Sequence, residues 1–540
     1  MSITNTVSLQ DETPSPGFSI LARQSLFLFP VSLLTRVANL VKFIVIARTF
    51  GASAHMDAFW IAWNIPGGVG GVAEGACEHA FVALGTQARV RKPGSEWSLQ
   101  MWLLLLFSTV FCLVTLIYVL LAGSIIRWLG PGLPDDSRQI ASQLTVLLAP
   151  ILFLSPAFGL LTAFHYTHER YTLRTAVPAL GALVIVCASY FAGRRYGIQV
   201  LAWAYTASLL LQVLPLAPFF WRSHAFRDEL PQNFLADLRK VLLLIVPMAF
   251  VNFAGNTNLI VDRVVASHLG TGAISNLDYA SKVGTLLLDI CIGGFLVAFY
   301  PFMAQQAAHN EPVQAASRME KSLRLSLFLI IPAIGFAAFL RVPLLQLLLE
   351  RGAFTHGDTI AAAQAFLAYS PSFIFQALNA VLVRGFYSYN DSWTPMVVLG
   401  AGIIPNLLLD VLFSRYIGFL GIAASSSLVN GIIFACLAVA FQRKHLSVDF
   451  KQIGKPALRM LSSVVLALIT IHVGSLFWPR GWGDSFHSAG IIALTFSVTM
   501  CLALYFAWLS VLGGEETSLV ASSLKRLPFK NRVHQDEQKG

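Results

Sequence analysis

The chain returns repeatedly to apolar runs of about 20 residues, parted by short polar or basic turns. A run of that length, coiled as a helix, matches the hydrocarbon thickness of a bilayer. No other feature limits the fold as strongly, because lipid offers no partner to an unpaired backbone N–H or C=O. Helices and closed barrels alone meet that demand, and no barrel-like alternation is present. The fold class is therefore an all-α polytopic membrane protein. Of its 540 residues 56% are hydrophobic and only 12% charged, too little charge to cover a soluble surface.

A window of about 20 residues gives fourteen spans: 26–48, 57–83, 99–123, 139–164, 174–193, 197–221, 240–266, 276–303, 323–349, 359–387, 393–414, 418–442, 456–478 and 486–512. The second, eighth and tenth are interrupted by Gly, Pro or charge. The expected layout is a cytoplasmic N-terminal segment (1–25), two six-helix lobes (26–222 and 223–442), two additional helices (443–512) and a basic cytoplasmic tail (513–540). The first 20 or so residues are polar and show no cleavable signal. Lys and Arg concentrate in the even-to-odd loops and the tail, which puts both termini in the cytoplasm; Arg194 and Arg195 run against the rule. The net charge of +10 thus describes orientation and lipid contact rather than nucleic-acid binding. The six cysteines lack CxxC spacing and read as packing residues.

Charge inside the apolar runs is the next constraint. In the first span, Ser32, Thr35, Arg36, Asn39 and Lys42 share an arc of roughly 120° at 100° per residue. A mid-bilayer Arg or Lys costs at least about 2.5–3.5 kcal/mol, so this stripe is expected to face a watery cavity or a bound anion. The plainer alternative is that Lys42 and Arg48 snorkel toward headgroups, but Arg36 is too deep for that. The second span holds Pro66 and five glycines between Gly67 and Gly75, a poor continuous helix that is tolerated only where it lines protein or water. Asp57 sits at its outer mouth, with Glu74 and Glu78 beyond the break.

The run FGASAHMDAFWIA from Phe50 is echoed 219 residues later by LGTGAISNLDYAS from Leu269, as in a parallel-repeat transporter. The echo repeats the polar pattern. Asn252, Asn256 and Arg263 share one face of span 7, and Asp278, Lys282 and Asp289 one face of span 8. Asp278 and Lys282 stand at i, i+4 and can pair, either as a substrate-facing set or simply as a bridge holding helices together.

No GxxxxGK[ST], HExxH or GxSxG motif is present, and the HxxH of His165 and His168 reads as ordinary loop residues. Transport fits better than catalysis, so the chain is not expected to be an enzyme. The segments TRVANLVKFIVIARTFGASAHMDAFWIAWNIP and AEGACEHAFV, between Thr35 and Val82, resemble the start of the MviN/MurJ lipid II flippase family of the multidrug/oligosaccharidyl-lipid/polysaccharide exporter superfamily. ERGAFT (Glu350–Thr355), AYS (Ala368–Ser370) and GFYSYNDSWTP (Gly385–Pro395) resemble its second-lobe signature.

The resemblance implies a flippase that moves undecaprenyl-pyrophosphate-linked glycan, lipid II or similar, across the bacterial inner membrane by alternating access. It makes Arg36 a cavity arginine, Asp57 an outer-gate aspartate and Glu74 the glutamate of the AEGA motif. The family's further cavity arginines correspond to Lys42 and Lys282 here, and one is absent where Gly67–Gly71 stands. Lysine keeps charge but loses the bidentate fork suited to a pyrophosphate.

The expected substrate-binding set is Arg36, Lys42, Asn39, Lys282, Arg263 and Asn256; the expected gating set is Asp57, Glu74, Glu78 and Asp278. No cofactor is expected beyond a coupling ion (sodium, proton or chloride) or the membrane potential. The partners are the lipid-linked glycan and membrane lipids, the chain acting as a monomer. An exopolysaccharide repeat-unit flippase is the alternative, with a cation-coupled drug antiporter behind it.

Overall fold

The computed structural model describes residues 16–91, 95–168, 170–217, 234–308, 312–389, 391–446, 448–476 and 488–513. The basic tail from 514 onward lies outside the described residues, as does the N-terminal segment before Pro16. The helices are α1 (Pro16–Phe50), α2 (Ala54–Trp63), α3 (Gly70–Arg91), α4 (Ser95–Leu120), α5 (Ala122–Leu129), α6 (Asp135–Leu148), α7 (Pro150–Thr167), α8 (Tyr171–Phe191), α9 (Gly193–Tyr196) and α10 (Gln199–Val213). They continue as α11 (Phe234–Ala266), α12 (Ala273–Ala308), α13 (Pro312–Phe339), α14 (Arg341–Leu349), α15 (His356–Ser388), α16 (Trp393–Ala401), α17 (Ile403–Ile417), α18 (Phe419–Lys444), α19 (Phe450–Leu476) and α20 (Ser488–Val511). The chain is an all-α, polytopic membrane protein: among the described residues nine helical stretches are long and apolar enough to cross a membrane, and no strand occurs.

Two compact units form. Unit 1 takes residues up to 46, 73–115 and 150–241; unit 2 takes 47–72, 116–149 and everything from 242 onward. In unit 1, Met101, Phe158, Phe164, Val177 and Leu216 make a buried apolar cluster, and the Trp97 ring meets Phe164 edge-on at 4.4 Å. His165, expected in a loop, instead lies buried in the last turn of α7, its Nε2 against the Leu216 carbonyl at 3.1 Å.

Local chemistry explains the breaks that matter. Gly51 ends α1 at φ +60°, and a Cβ there would collide with the Ala353 carbonyl, so neither the turn nor the approach admits another residue. Ser53 then caps α2 by accepting the Met56 N–H at 3.3 Å. At Pro66 the expected break takes the form of a π-helical turn, Asn64–Val69, before α3 resumes. The ERGAFT segment ends in a capping box: Thr355 and Asp358 exchange side-chain and backbone hydrogen bonds at 3.3 and 2.9 Å and start α15.

Candidate functional site

In unit 1 the polar stripe of α1 is ordered by its helical spacing. Thr35 Oγ1 donates to the Thr175 carbonyl of α8 at 3.1 Å, and Asn39 Nδ2 donates to the Thr35 carbonyl. Lys42 Nζ donates to Asn39 Oδ1 at 2.8 Å and lies 5.7 Å from the centre of the Tyr205 ring of α10. Arg36 lies half-buried on the same face. The stripe is a row of donors carrying two positive charges, a constitution that suits an anionic oxygen cluster.

Glu74 and Glu78 face Arg174 of α8, at 3.5 and 3.3 Å, and the guanidinium stacks over Phe158 at 4.6 Å. Gly159 permits this, since its missing side chain leaves room for the backbone of Glu74. All of these residues belong to unit 1, so the clasp holds α3 to α8 within it.

Asp57 does different work in unit 2. One carboxylate oxygen accepts the Gly272 N–H at 2.6 Å; the other accepts the Ser275 N–H at 2.8 Å and the Ser275 hydroxyl at 2.5 Å. The acid of the first motif thus caps the helix opened by its echo, where the macrodipole favours negative charge. Gly272 is at φ +83°, close beside the Ala52 carbonyl, which sets its N–H toward Asp57. Nearby, Tyr279 Oη donates to the Gly51 carbonyl at 3.2 Å and the Ala353 N–H to the Arg48 carbonyl at 2.8 Å. The FGAS, LGTGAIS and ERGAFT segments form one knot.

One turn deeper, Arg263 of α11 donates to Asp278 at 2.6 Å and to Asn64 Oδ1 at 2.5 Å, its guanidinium 5.2 Å from the Trp60 ring. Arg263 and Asp278 are 5% and 3% exposed, so the pair is sealed. A small pocket lined by Asp262, Arg263, Asp278, Ser281 and Tyr369 opens beside it. The adjacent Asp262 belongs to a second buried cluster. Asn406 Nδ2 donates to Asp262 at 2.8 Å and to Asp410 at 3.0 Å; Ser426 donates to Asp262 at 3.3 Å, and Ser425 donates to Asp410. Sequence reasoning missed this cluster. Its signals were present as Asn406 and Asp410 at i, i+4 and as three consecutive serines, 425–427, inside apolar runs.

Asp391, in the GFYSYNDSWTP segment, stands between the end of α15 and the start of α16. Asp391 accepts from the Thr394 N–H at 2.9 Å and the Thr394 hydroxyl at 2.6 Å, with His445 at 3.2 Å and Lys444 at 3.5 Å. Burial lifts the Asp391 carboxyl, but Thr394, His445 and Lys444 together outweigh it and hold the pKa down at about 2. A carboxylate depressed in the fold stabilises it above its unfolded value of about 3.9 and loses that effect as pH falls through the folded value. The Tm gap between the wild type and Asp391→Asn is therefore expected to be constant above about pH 4 and to shrink toward pH 2. A gap that widens with acid would contradict this.

With that geometry in hand, comparison with known proteins is specific. Residues 46–493 match the family model described as lipid II flippase MurJ. The chain belongs to the MurJ family. The probable lipid II flippase MurJ of Vibrio cholerae is 27% identical over 530 residues, covering 93% of this chain and 98% of that protein. The lipid II flippase MurJ of Burkholderia cenocepacia is 26% identical, covering 73% and 78%. Among solved structures, a lipid II flippase MurJ in an inward closed conformation superposes with a TM-score of 0.74 at 20% identity, covering 90% of this chain and 98% of that one. An inward-facing multidrug resistance MATE family transporter of the MOP superfamily follows at 0.64 and 12%, covering 77% and 97%.

In this MurJ-family chain Asp278, which stands at a spacing that would let it pair with Lys282, is bonded to Arg263. The arginine fork reaches across from α11 to a buried carboxylate, whereas Lys282, one turn on, is exposed on α12. Arg263, an expected substrate-binding residue, donates to Asp278 and Asn64 in this structure. Asn256 is half-buried on α11, and its Cβ lies 3.9 Å from the position a Gly68 side chain would take.

Proposed function

We propose that this chain is a flippase for polyprenyl-diphosphate-linked glycan, with lipid II as the substrate, working by alternating access in the bacterial inner membrane. Membership of the MurJ family across residues 46–493 carries this reading. In it, fourteen crossings make two six-helix lobes, 26–222 and 223–442, plus two further helices, with both termini cytoplasmic.

The diphosphate binds at the α1 stripe, where Arg36 and Lys42 supply charge in a low-dielectric setting and Asn39 a neutral contact. Lys282, an exposed cation on an apolar helix, is the second place where charge is expected to matter. The knot around Asp57 is the outer gate, and its hydrogen bonds describe the state closed on that side. Opening it means exchanging the Asp57 cap and the Arg263–Asp278 pair for other partners.

The Asp262–Asp410 cluster is the candidate for coupling. Two carboxylates on one amide in an apolar interior need compensating positive charge, which a proton or a small hard cation supplies. A unit charge moved through the membrane field is worth about 2.3 kcal/mol per 100 mV, enough to bias the return step.

The test is flipping of fluorescent lipid II in proteoliposomes. Arg36→Ala is expected to slow flipping about ten-fold or more, the equivalent of one charged contact to phosphate. Unchanged flipping by properly inserted protein would remove the anion cradle. A wild type that flips an exopolysaccharide repeat unit but not lipid II would move the substrate to the alternative pathway.

A further inference from the structure

Helix α15 carries a proline in its middle, within the sequence Ala368-Tyr369-Ser370-Pro371-Ser372. Pro371 has no N–H for the Leu367 carbonyl, so one rung of the ladder is absent by chemistry. At the next rung a side chain from another helix bonds to both backbone groups. The Ser427 hydroxyl of α18 donates to the Ala368 carbonyl at 2.6 Å and accepts the Ser372 N–H at 3.2 Å. These are the two groups that would bond to each other in an uninterrupted helix. A hydroxyl inserted at this point is one of the recognised causes of a helix kink.

The surroundings differ on the two sides of the break. Below it, Ser372 Oγ accepts from Gln376 at 2.9 Å and from Asn430 of α18 at 3.1 Å, and Asn379 donates to the Asn430 carbonyl at 3.2 Å. Above it, Tyr369 lines the pocket beside Arg263 and Asp278, and Ser370 bonds only within its own helix, to the Phe366 carbonyl. The lower half is strapped to α18; the upper half reaches the gate. Ser425 and Ser426, the two residues before the staple, hold Asp410 and Asp262. Three consecutive serines therefore tie the acid cluster to the break in α15.

We propose that Ser370–Pro371 is the hinge of α15 and that Ser427 is its removable staple. The hydroxyl mends the ladder in the state with the outer side closed and withdraws when α15 pivots. Ser427 is a positioning residue: it acts through α15 and touches no substrate. The inference rests on the alternating-access reading for its consequence but on the hydrogen bonds alone for its geometry.

The experiment uses full-length protein in nanodiscs with its six native cysteines replaced and spin labels at Gln364→Cys, before the break, and Trp393→Cys, at the start of α16 beyond it, both exposed positions. Ser427→Ala, which removes both hydrogen bonds of the staple, is expected to broaden the label-to-label distance distribution and to slow flipping about five-fold or more. Ser427→Thr, which keeps the hydroxyl, is expected to stay near wild type. Adding Pro371→Ala to Ser427→Ala restores an unbroken ladder and narrows the distribution again. A Ser427→Ala distribution identical to wild type, or a threonine variant no better than alanine, would overturn the hinge. The distances report on the hinge even if the wild type fails to flip lipid II, so loss of the substrate assignment and loss of the hinge are separate results.

Discussion

Asp57→Ala is expected to abolish closure of the outer side and to reduce flipping by well over ten-fold. The carboxylate takes two backbone N–H groups and one hydroxyl, all buried, and each such charge-assisted bond is worth about 1.5–3 kcal/mol. Alanine leaves the Gly272 and Ser275 N–H groups at the start of α12 without their acceptor. The state with α2 seated on α12 then loses more free energy than a transporter's two states ordinarily differ by. Asp57→Asn keeps an acceptor oxygen but loses the charge facing the helix dipole, so it is expected to fall between the two. With the native cysteines replaced, labelling of a cysteine at Ala273 with a membrane-impermeant reagent reads the gate, since that residue is buried in this state and makes no bond to Asp57. Wild-type protection of that cysteine in the Asp57→Ala background would show that the cap does not hold the gate.

The second large effect is expected at the Arg263–Asp278 pair. Removing one partner from a sealed ion pair costs about 3–5 kcal/mol, because the other charge stays buried without compensation. Asp278→Asn and Arg263→Met singly are thus expected to lower folded yield and Tm sharply. The double variant leaves no orphan charge within the pair, so it should recover part of the Tm, the remainder being the loss of Arg263 beside Asp262. Flipping does not follow the same course: if the pair must break and reform in each cycle, the double variant is stable and inactive. Fluorescence size exclusion for folded yield and the lipid II assay for function separate the two outcomes. A double variant destabilised by as much as the two single variants added together would mean that the residues act independently.

The residues legible in the sequence are those whose partners are close along the chain. Thr35, Asn39 and Lys42 were readable as one stripe because 3.6-residue periodicity places them together, and they bond along that stripe. Pro66 and the glycines after it announced a break, though not that it takes a π-helical form. Asp57 stood out as an acid at the mouth of a span, and its echo 219 residues on pointed to a second copy of the motif. That the first copy's acid caps the second copy's helix was not readable.

The pairings that were not legible share a cause. Local spacing allows Asp278 to pair with Lys282, while its partner is Arg263, 15 residues earlier on the preceding helix. Asp262 and Asn406 stand 144 positions apart, and nothing local links them to each other or to the three serines 425–427. Only packing brings them together.

Apolar length, helical period and charge bias are properties of short stretches, and lipid enforces them on each helix separately. The amino-acid order alone therefore determined that this chain is a bundle of membrane helices with a basic stripe on the first. Which buried acid meets which arginine, amide or hydroxyl depends on helices distant in sequence becoming neighbours. In an interior without water every polar group must find such a neighbour, and the tertiary structure alone decided which.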